Sequence, residues 1–266
     1  MKNKNILLIA GVHGDEQNAI KVCHDVVKEN PWKLFVLPES EEARKKNVRC
    51  VNGYDWNRHA SEIDLKNVSD YDVVMDVHCS PNLLNCVVID NNRYAANYIK
   101  FCNENDIPYA LVDANDTIKN AVIRNTSLHV MSGAHTAAFT VELNGMGITS
   151  REVYDNNVRF LNKLIEAFCK SDIDFYVVQN LIDFTSQLAD VKCNDFTYHN
   201  YGEKVFISED IQGFYKKGDT ILTLSFPGRT DTVYTAPEDG WVIDYDDCPY
   251  VYFGSRLFEF QKKIII

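Results

Sequence analysis

The first 170 residues alternate between short apolar runs and amphipathic segments. Residues 6–10 are continuously apolar, which is typical of a strand buried on both faces. Residues 16–29 then place most of their apolar side chains at helical spacing. Similar patterns predict strands at 33–37, 71–77, 85–89, 109–112 and 137–143, and helices at 93–104 and 151–170. This alternation predicts an α/β sandwich around a mostly parallel or mixed sheet.

The hydrophobic pattern changes after residue 170. Short β-type runs follow at residues 175–178, 204–207, 220–224 and 240–243. Turn-forming pairs such as Gly218-Asp219 and Asp239-Gly240 lie between them, and no strong helical pattern intervenes. We therefore expect an α/β domain at residues 1–170 and a smaller β-rich domain at residues 171–266.

Composition narrows the functional classes. The chain has 266 residues and a net charge of −11 at pH 7. This charge argues against a nucleic-acid binder, which needs a basic face, but allows a locally basic pocket for an acidic small molecule. No stretch approaches the roughly 20 consecutive apolar residues of a membrane span. The eight cysteines are scattered without a C-x-x-C pair, which favours a reduced, cytoplasmic chain over a secreted disulfide framework.

A first polar cluster, Gly-Val-His-Gly-Asp-Glu at residues 11–16, follows the first predicted strand. His13 and Glu16 are three residues apart, so on a helical turn their side chains lie about 5–6 Å apart and could share one ion. His78, just past the predicted strand 71–77, is a third candidate ligand, because open α/β sheets bind ligands beyond the carboxyl ends of their strands. Two histidines and a carboxylate suit a catalytic zinc site. The alternative is that Glu16 only complements the helix dipole and that His13 is a loop residue.

Two further acidic residues lie on predicted strands. Glu142 comes late in the apolar strand 137–143, where a carboxylate is costly unless it is paired or functional. Its structural alternative is a salt bridge, for example with Arg124 or Arg151. Asp76 precedes His78 by two residues, so it could share its face and orient the histidine, or simply make a cap or a core hydrogen bond.

A polar tetrad, Asp-Trp-Asn-Arg, occupies residues 55–58. The planar guanidinium of Arg58 suits a carboxylate ligand, and the amide of Asn57 can support it with a hydrogen bond. In isolation, the tetrad is more typical of an ordinary polar loop.

Four motifs in order, G-x-H-G-D-E, D-x-N-R, D-x-H and V-E-L, resemble the succinylglutamate desuccinylase/aspartoacylase family of zinc amidohydrolases. They fall within residues 6–145, and Ala-Pro-Glu-Asp-Gly at residues 236–240 resembles part of the family's smaller second domain. The resemblance implies a zinc-carboxypeptidase-like α/β/α sandwich with a mostly parallel or mixed sheet, plus a C-terminal β-rich domain. The implied activity is hydrolysis of a linear amide in a small N-acylated amino acid or similar carboxylate-bearing substrate.

The resemblance also implies roles for the matching residues. The ligands of a single Zn²⁺ would be His13, Glu16 and His78, and Glu142 would be the general acid/base.

Asn57 and Arg58 would hold a substrate carboxylate. Arg49 is the candidate for the arginine that polarises the scissile carbonyl, although its spacing departs slightly from the family pattern.

The resemblance does not identify the substrate, because residues 130–140 lack the arginine that binds the side-chain carboxylate of acylated aspartate and no N-P-x-A segment is present. Trp56 replaces the usual leucine of the tetrad and is expected to reshape the pocket wall. A carboxypeptidase-like metallopeptidase and a non-catalytic metal- or ligand-binding protein are the alternatives.

Overall fold

The computed structural model describes residues 4–28, 30–59, 70–81, 83–90, 94–112, 137–147, 149–175, 188–192, 211–224, 230–245 and 256–265. These residues divide into two compact units. The first unit contains the described residues up to 175 apart from 83 and 84, which join the described residues from 188 to 265 in the second unit. A domain boundary at residue 170 stays a prediction, since residues 176–187 lie outside the described part.

A six-stranded sheet forms the centre of the first unit. Its elements are β1 (Ile6–Ala10), α1 (Gln17–Lys28), β2 (Lys33–Val36), α2 (Glu41–Lys46), β3 (Val73–Ser80), β4 (Cys86–Asp90), α3 (Ala95–Glu104), β5 (Tyr109–Val112), β6 (Ala137–Asn144) and α4 (Arg151–Lys170). The strand order is β2-β1-β3-β6-β4-β5, and every neighbouring pair is parallel except β4 with β6. The mostly parallel, mixed sheet predicted from the alternation is therefore confirmed.

The order of the strands marks a binding position. The chain passes from β1 to β2 on one side and returns to β3 on the other side of β1. The strand order therefore reverses between β1 and β3, and open sheets of this class bind ligands at the carboxyl ends of such a pair.

Packing of the first unit follows from the apolar pattern. All five residues of β1 are buried, as its uninterrupted hydrophobicity predicts. Phe139 of β6 contacts Phe101 of α3 and Phe168 of α4, with ring centroids 5.5 and 6.2 Å apart. Because side chains alternate along a strand, Glu142 lies on the face of β6 opposite to Phe139.

The second unit is built from β-strands. They are β7 (Leu188–Lys192), β8 (Gly213–Tyr215), β9 (Thr220–Leu224), β10 (Thr232–Thr235), β11 (Gly240–Tyr245) and β12 (Arg256–Lys262). One antiparallel sheet has the order β7-β12-β11-β8, and β9 pairs with β10. The strand predictions at 220–224 and 240–243 are confirmed. The prediction of a strand at residues 175–178 is wrong at Phe175, which is not in a strand and packs against Phe139 in the first unit. Residues 176–178 and the predicted strand at 204–207 lie outside the described residues.

The cysteines of the described residues are all free thiols. Burial raises the pKa of Cys23, Cys79 and Cys102 well above the usual thiol range, so these side chains are neutral and unreactive at neutral pH. In the part of the chain that is described, no helix is both long enough and apolar enough to span a bilayer.

Candidate metal centre

The turn between β1 and α1 positions His13 and Glu16. Gly11 directly follows β1 with φ +74°, a conformation that glycine adopts without strain, and Glu16 directly precedes α1. The turn brings His13 Nδ1 to 2.6 Å from Glu16 Oε1. Both side chains are 2% exposed. The predicted pairing across three residues is present.

His78 approaches the same carboxylate from β3. Its Nδ1 lies 3.0 Å from Glu16 Oε2, so Glu16 contacts both histidines with its two oxygens. The prediction that His78 lies just after its strand is wrong. The strand continues to Ser80, so His78 lies inside it and its direction is fixed by the backbone pairing of the sheet.

The three side chains form a group suited to a divalent cation. One donor atom from each of His13, Glu16 and His78 lies within 4.8 Å of the other two, and all three residues are buried. Two imidazole nitrogens and a carboxylate oxygen form the three-ligand set of many catalytic zinc sites. This donor chemistry fits the zinc ion implied by the motifs.

A second carboxylate lies behind each imidazole. His13 Nε2 is 3.1 Å from Asp55 Oδ1, and His78 Nε2 is 3.0 Å from Asp76 Oδ2. In a neutral imidazole, a carboxylate that accepts Nε2–H leaves Nδ1 unprotonated and able to bind a cation, which is the usual arrangement of metal-binding histidines. Asp76 therefore orients His78, which is one of the two roles that the sequence suggests for it. The role of Asp55 was missed, because only the fold reveals that the first residue of the tetrad contacts His13.

Charge interactions stabilise the ionised form of Glu16. Its burial alone would raise the pKa, but attraction to His78 and hydrogen bonds from both histidines lower the pKa to about 2. Burial lowers the pKa of His13 and His78, yet Asp55 and Asp76, together with Glu16, more than compensate and raise both values. The metal-free centre therefore holds a network of mutually stabilised charges.

Glu142 is adjacent to the centre, and its pKa is shifted in the opposite direction from that of Glu16. It pairs directly with His78 across the parallel β3–β6 ladder, so the two side chains share one face of the sheet. Burial raises the pKa of Glu142 to about 7; His78 opposes this rise and Glu16 adds to it. Ser80 Oγ donates a hydrogen bond of 3.4 Å to Glu142 Oε2.

A structural salt bridge of Glu142 is not supported. Of the two proposed partners, Arg151 pairs with Asp155 at 3.0 Å on the surface of α4, and Arg124 lies outside the described residues. Glu142 makes no ion pair among the described side chains. A carboxyl group that is partly buried, shifted in pKa and beside a metal-binding cluster is a candidate for proton transfer.

Arg49 lies at the edge of the cluster, as its candidate role requires. Its Nη1 is 3.8 Å from Glu16 Oε1, and its Nη2 is 3.7 Å from Asp55 Oδ2. The side chain is 48% exposed, so the guanidinium can contact both the carboxylates and a ligand from solution.

The Asp-Trp-Asn-Arg tetrad forms a 3₁₀ turn over Trp56–Arg58. Asp55 Oδ1 accepts a hydrogen bond of 2.9 Å from the backbone N–H of Asn57, which fixes this turn next to His13. Trp56 packs against a cluster of buried residues that includes Leu37 and Val74. Trp56 is partly buried there, and its expected effect on the pocket wall stays a prediction.

Solved structures of succinylglutamate desuccinylase/aspartoacylase proteins align with nearly the whole chain. A succinylglutamate desuccinylase from Silicibacter sp. TM1040 is 15% identical with a TM-score of 0.57, over 96% of this chain and 84% of its own. A succinylglutamate desuccinylase/aspartoacylase from Rhodobacter sphaeroides is 14% identical with a TM-score of 0.58, and the alignment covers 99% of this chain and 86% of that protein. The product-bound ectoine utilization protein EutE from Ruegeria pomeroyi is 14% identical with a TM-score of 0.57, and the alignment covers 97% of this chain and 85% of that protein.

No family model matches the sequence, and no curated protein matches it. At these identities the structural similarity establishes the fold, and it confirms the fold class that the four motifs implied.

Proposed function

We propose that this chain, which has the fold of the succinylglutamate desuccinylase/aspartoacylase structures, is a zinc-dependent hydrolase of a small N-acylated amino acid or similar carboxylate-bearing amide. The convergence of His13, Glu16 and His78 within 4.8 Å is the observation that carries the proposal. The carboxylates behind both histidines support it, because they prepare the two Nδ1 atoms for a cation.

His13, Glu16 and His78 would hold the zinc ion. When bound, zinc polarises a carbonyl group and brings the pKa of a coordinated water towards about 7. Glu142 would accept a proton from the attacking water and return it to the departing amine, so that the amide is split into a carboxylic acid and an amine. Such positioned proton transfer typically contributes about 10²–10⁴-fold to a rate.

The substrate-binding residues are proposed from their chemistry and position. Arg49 would stabilise the negative charge that develops on the carbonyl oxygen, which its place beside Glu16 supports. Asn57 and Arg58 would hold a carboxylate of the substrate, since their turn is attached to the centre through Asp55. The proposed partner is thus a small acidic molecule rather than a nucleic acid or a membrane.

The test combines bound-metal analysis with a hydrolysis screen. We expect about one zinc ion per chain, and turnover within a panel of N-acyl amino acids in preference to short peptides. The double variant His13→Ala/His78→Ala should lose both zinc and activity. The control His24→Ala should retain both, because the side chain of His24 is 69% exposed.

Zinc retained at full occupancy by the double variant would refute the ligand assignment. Preferential cleavage of peptides would favour the metallopeptidase, and bound zinc without hydrolysis of any carboxylate-bearing amide would favour a non-catalytic protein.

We also propose that the enzyme acts in the cytoplasm. The support is the scattered arrangement of the eight cysteines and the free thiols of those described.

A further inference from the structure

The loop that carries His13 is held by a neighbouring segment, which we define as the α2 segment, residues 37–49. Three backbone groups of the loop are bound by it. Ser40 Oγ donates a 2.5 Å hydrogen bond to the carbonyl of Val12, immediately before the histidine. The N–H of Gly14, immediately after it, donates a 3.0 Å bond to the carbonyl of Arg49. The third group is the carbonyl of Gly11, which is bound by an arginine.

That arginine is Arg44, in the middle of α2. Its Nη1 donates one hydrogen bond of 3.2 Å to the carbonyl of Gly11 and another to the carbonyl of Leu37. The side chain is partly buried, and it makes no ion pair with any described carboxylate. A guanidinium that bonds to carbonyls at the ends of two strands ties β1 and β2 to α2 through charge-assisted bonds, which are about twice as strong as neutral ones.

The loop and the α2 segment are also in close steric contact. A Cβ atom on Gly14 would overlap the backbone of Ala43 and Arg44 and the carbonyl oxygen of Val48. The α2 segment ends at Arg49, whose guanidinium lies beside Glu16. One short segment therefore determines where the histidine loop lies relative to this arginine.

We propose that Arg44 is a positioning residue of the metal centre: its guanidinium holds the loop of residues 11–14 against the α2 segment and so keeps His13 in ligating geometry. This inference rests on the proposed metal-binding function. Arg44 acts through the backbone and touches neither the cation nor a substrate.

The test is the metal affinity of folded variants at 25 °C. Arg44→Met keeps most of the stem and removes the donors, and Arg44→Lys restores a single charged donor. Lys45→Met is the matched control, because Lys45 is 72% exposed on the same helix and pairs with Glu41. Zinc affinity is measured by competition with a chromophoric chelator, and the visible absorption of bound Co²⁺ reports the coordination geometry.

We expect Arg44→Met to weaken zinc binding about 10-fold and to change the Co²⁺ spectrum, as loss of outer-sphere support typically does. Arg44→Lys should recover part of the affinity, and Lys45→Met should stay within 2-fold of the parent chain. A merely structural role would lower the melting temperature of the metal-free protein and leave affinity and spectrum unchanged. That result would overturn the proposal.

If Arg44→Met does not fold, Arg44→Gln serves as the second variant, because it also removes the charged donors to the carbonyls of Gly11 and Leu37. A zinc affinity that Arg44→Gln leaves unchanged would equally overturn the proposal, and a several-fold loss would support it. Failure of the parent chain to bind zinc would instead refute the proposed function, so the two failures are distinguishable.

Discussion

Two carboxylates near one centre have pKa values displaced in opposite directions. Glu16, between two imidazoles, has its pKa lowered to about 2, whereas the desolvated carboxyl group of Glu142, with weaker compensation, has its pKa raised to about 7. Such divergence separates a group that stays ionised from a group that exchanges protons near neutral pH. It supports Glu16 as a ligand and Glu142 as the acid/base.

Glu142→Gln tests this division at the level of one side chain. We expect kcat to fall about 10²–10⁴-fold with zinc content unchanged, because the amide cannot accept the proton but has nearly the same shape. Zinc is quantified in the same samples as the initial rates. Unchanged turnover would contradict the acid/base role.

The pH profile of the parent chain provides a second test of Glu142. The base form is the deprotonated one, so kcat/KM should decline as the pH falls through the pKa of Glu142. A bound cation favours the ionised carboxylate, which places this acid limb at or below pH 7. The acid limb should be absent from the residual activity of Glu142→Gln.

Asp55 offers a prediction about the other side of the centre. Asp55→Asn removes the negative charge behind His13, so we expect zinc affinity to fall about 10–100-fold in a folded protein. A competition titration measures the change, with Asp155→Asn as the control because Asp155 lies on the surface of α4. Equal affinities for the parent chain and Asp55→Asn would show that His13 does not need this carboxylate.

Individual residues of the centre differ in how well the sequence predicts them. His13, Glu16 and His78 were identified from residue type, position after strands and motif order, and the fold brings them together. Asp55 and the packing of Trp56 could not be identified, because both depend on which long-range neighbour each side chain meets. Local spacing carries no information about such contacts.

The elements explain why the turn after β1 has so little freedom. Gly14 is in contact with α2 along its backbone, and Gly14→Ala would place a methyl group inside the helix backbone. We expect a loss of about 1–3 kcal/mol in the free energy of unfolding, together with weaker zinc binding. Urea denaturation of the metal-free protein checks the first effect. Gly147→Ala is the control, because no atom of another described residue is found within 4 Å of its added Cβ. Equal losses in both variants would contradict the steric explanation.

Element boundaries show where the sequence is informative. The long helix at residues 151–170 was predicted with its observed bounds, since Ser150 caps it and its apolar face is regular. The end of β3 was placed at residue 77 although the strand continues to Ser80, because the polar residues His78 and Ser80 hide the strand pattern. Polar residues therefore occupy positions that are usually apolar in a buried strand.

At the scale of the whole molecule, the charge network predicts a pH-dependent stability. The pKa of Glu16 is lowered in the folded state from an ordinary 4.5 to about 2. The unfolded chain therefore binds a proton more readily, so this contribution is complete above pH 4.5 and is lost as the pH falls towards 2. Glu16→Gln should show a smaller decrease in its urea midpoint over that range than the metal-free parent chain.

Glu39→Gln is the control for this measurement, because Glu39 is exposed. If the urea midpoint of Glu16→Gln falls as steeply with decreasing pH as that of the parent chain, other groups control the acid sensitivity.

The fold of the whole molecule was predictable to a different extent in its two units. Alternating strands and helices predicted the first sheet, because a buried parallel sheet needs nearly continuous apolar runs. In the second unit β9 and β11 were predicted, but β7, β8, β10 and β12 were not. Short antiparallel strands such as the three residues of β8 carry too few positions for a period to emerge.

The matched positions of His78 and Glu142 on adjacent strands have an evolutionary consequence. Adding or deleting one residue early in either strand would turn one of these groups to the far side of the sheet and abolish both partners' geometry at once. Changes of length in the connecting loops leave this pairing intact. A one-residue change within either strand, ahead of the pair, does not.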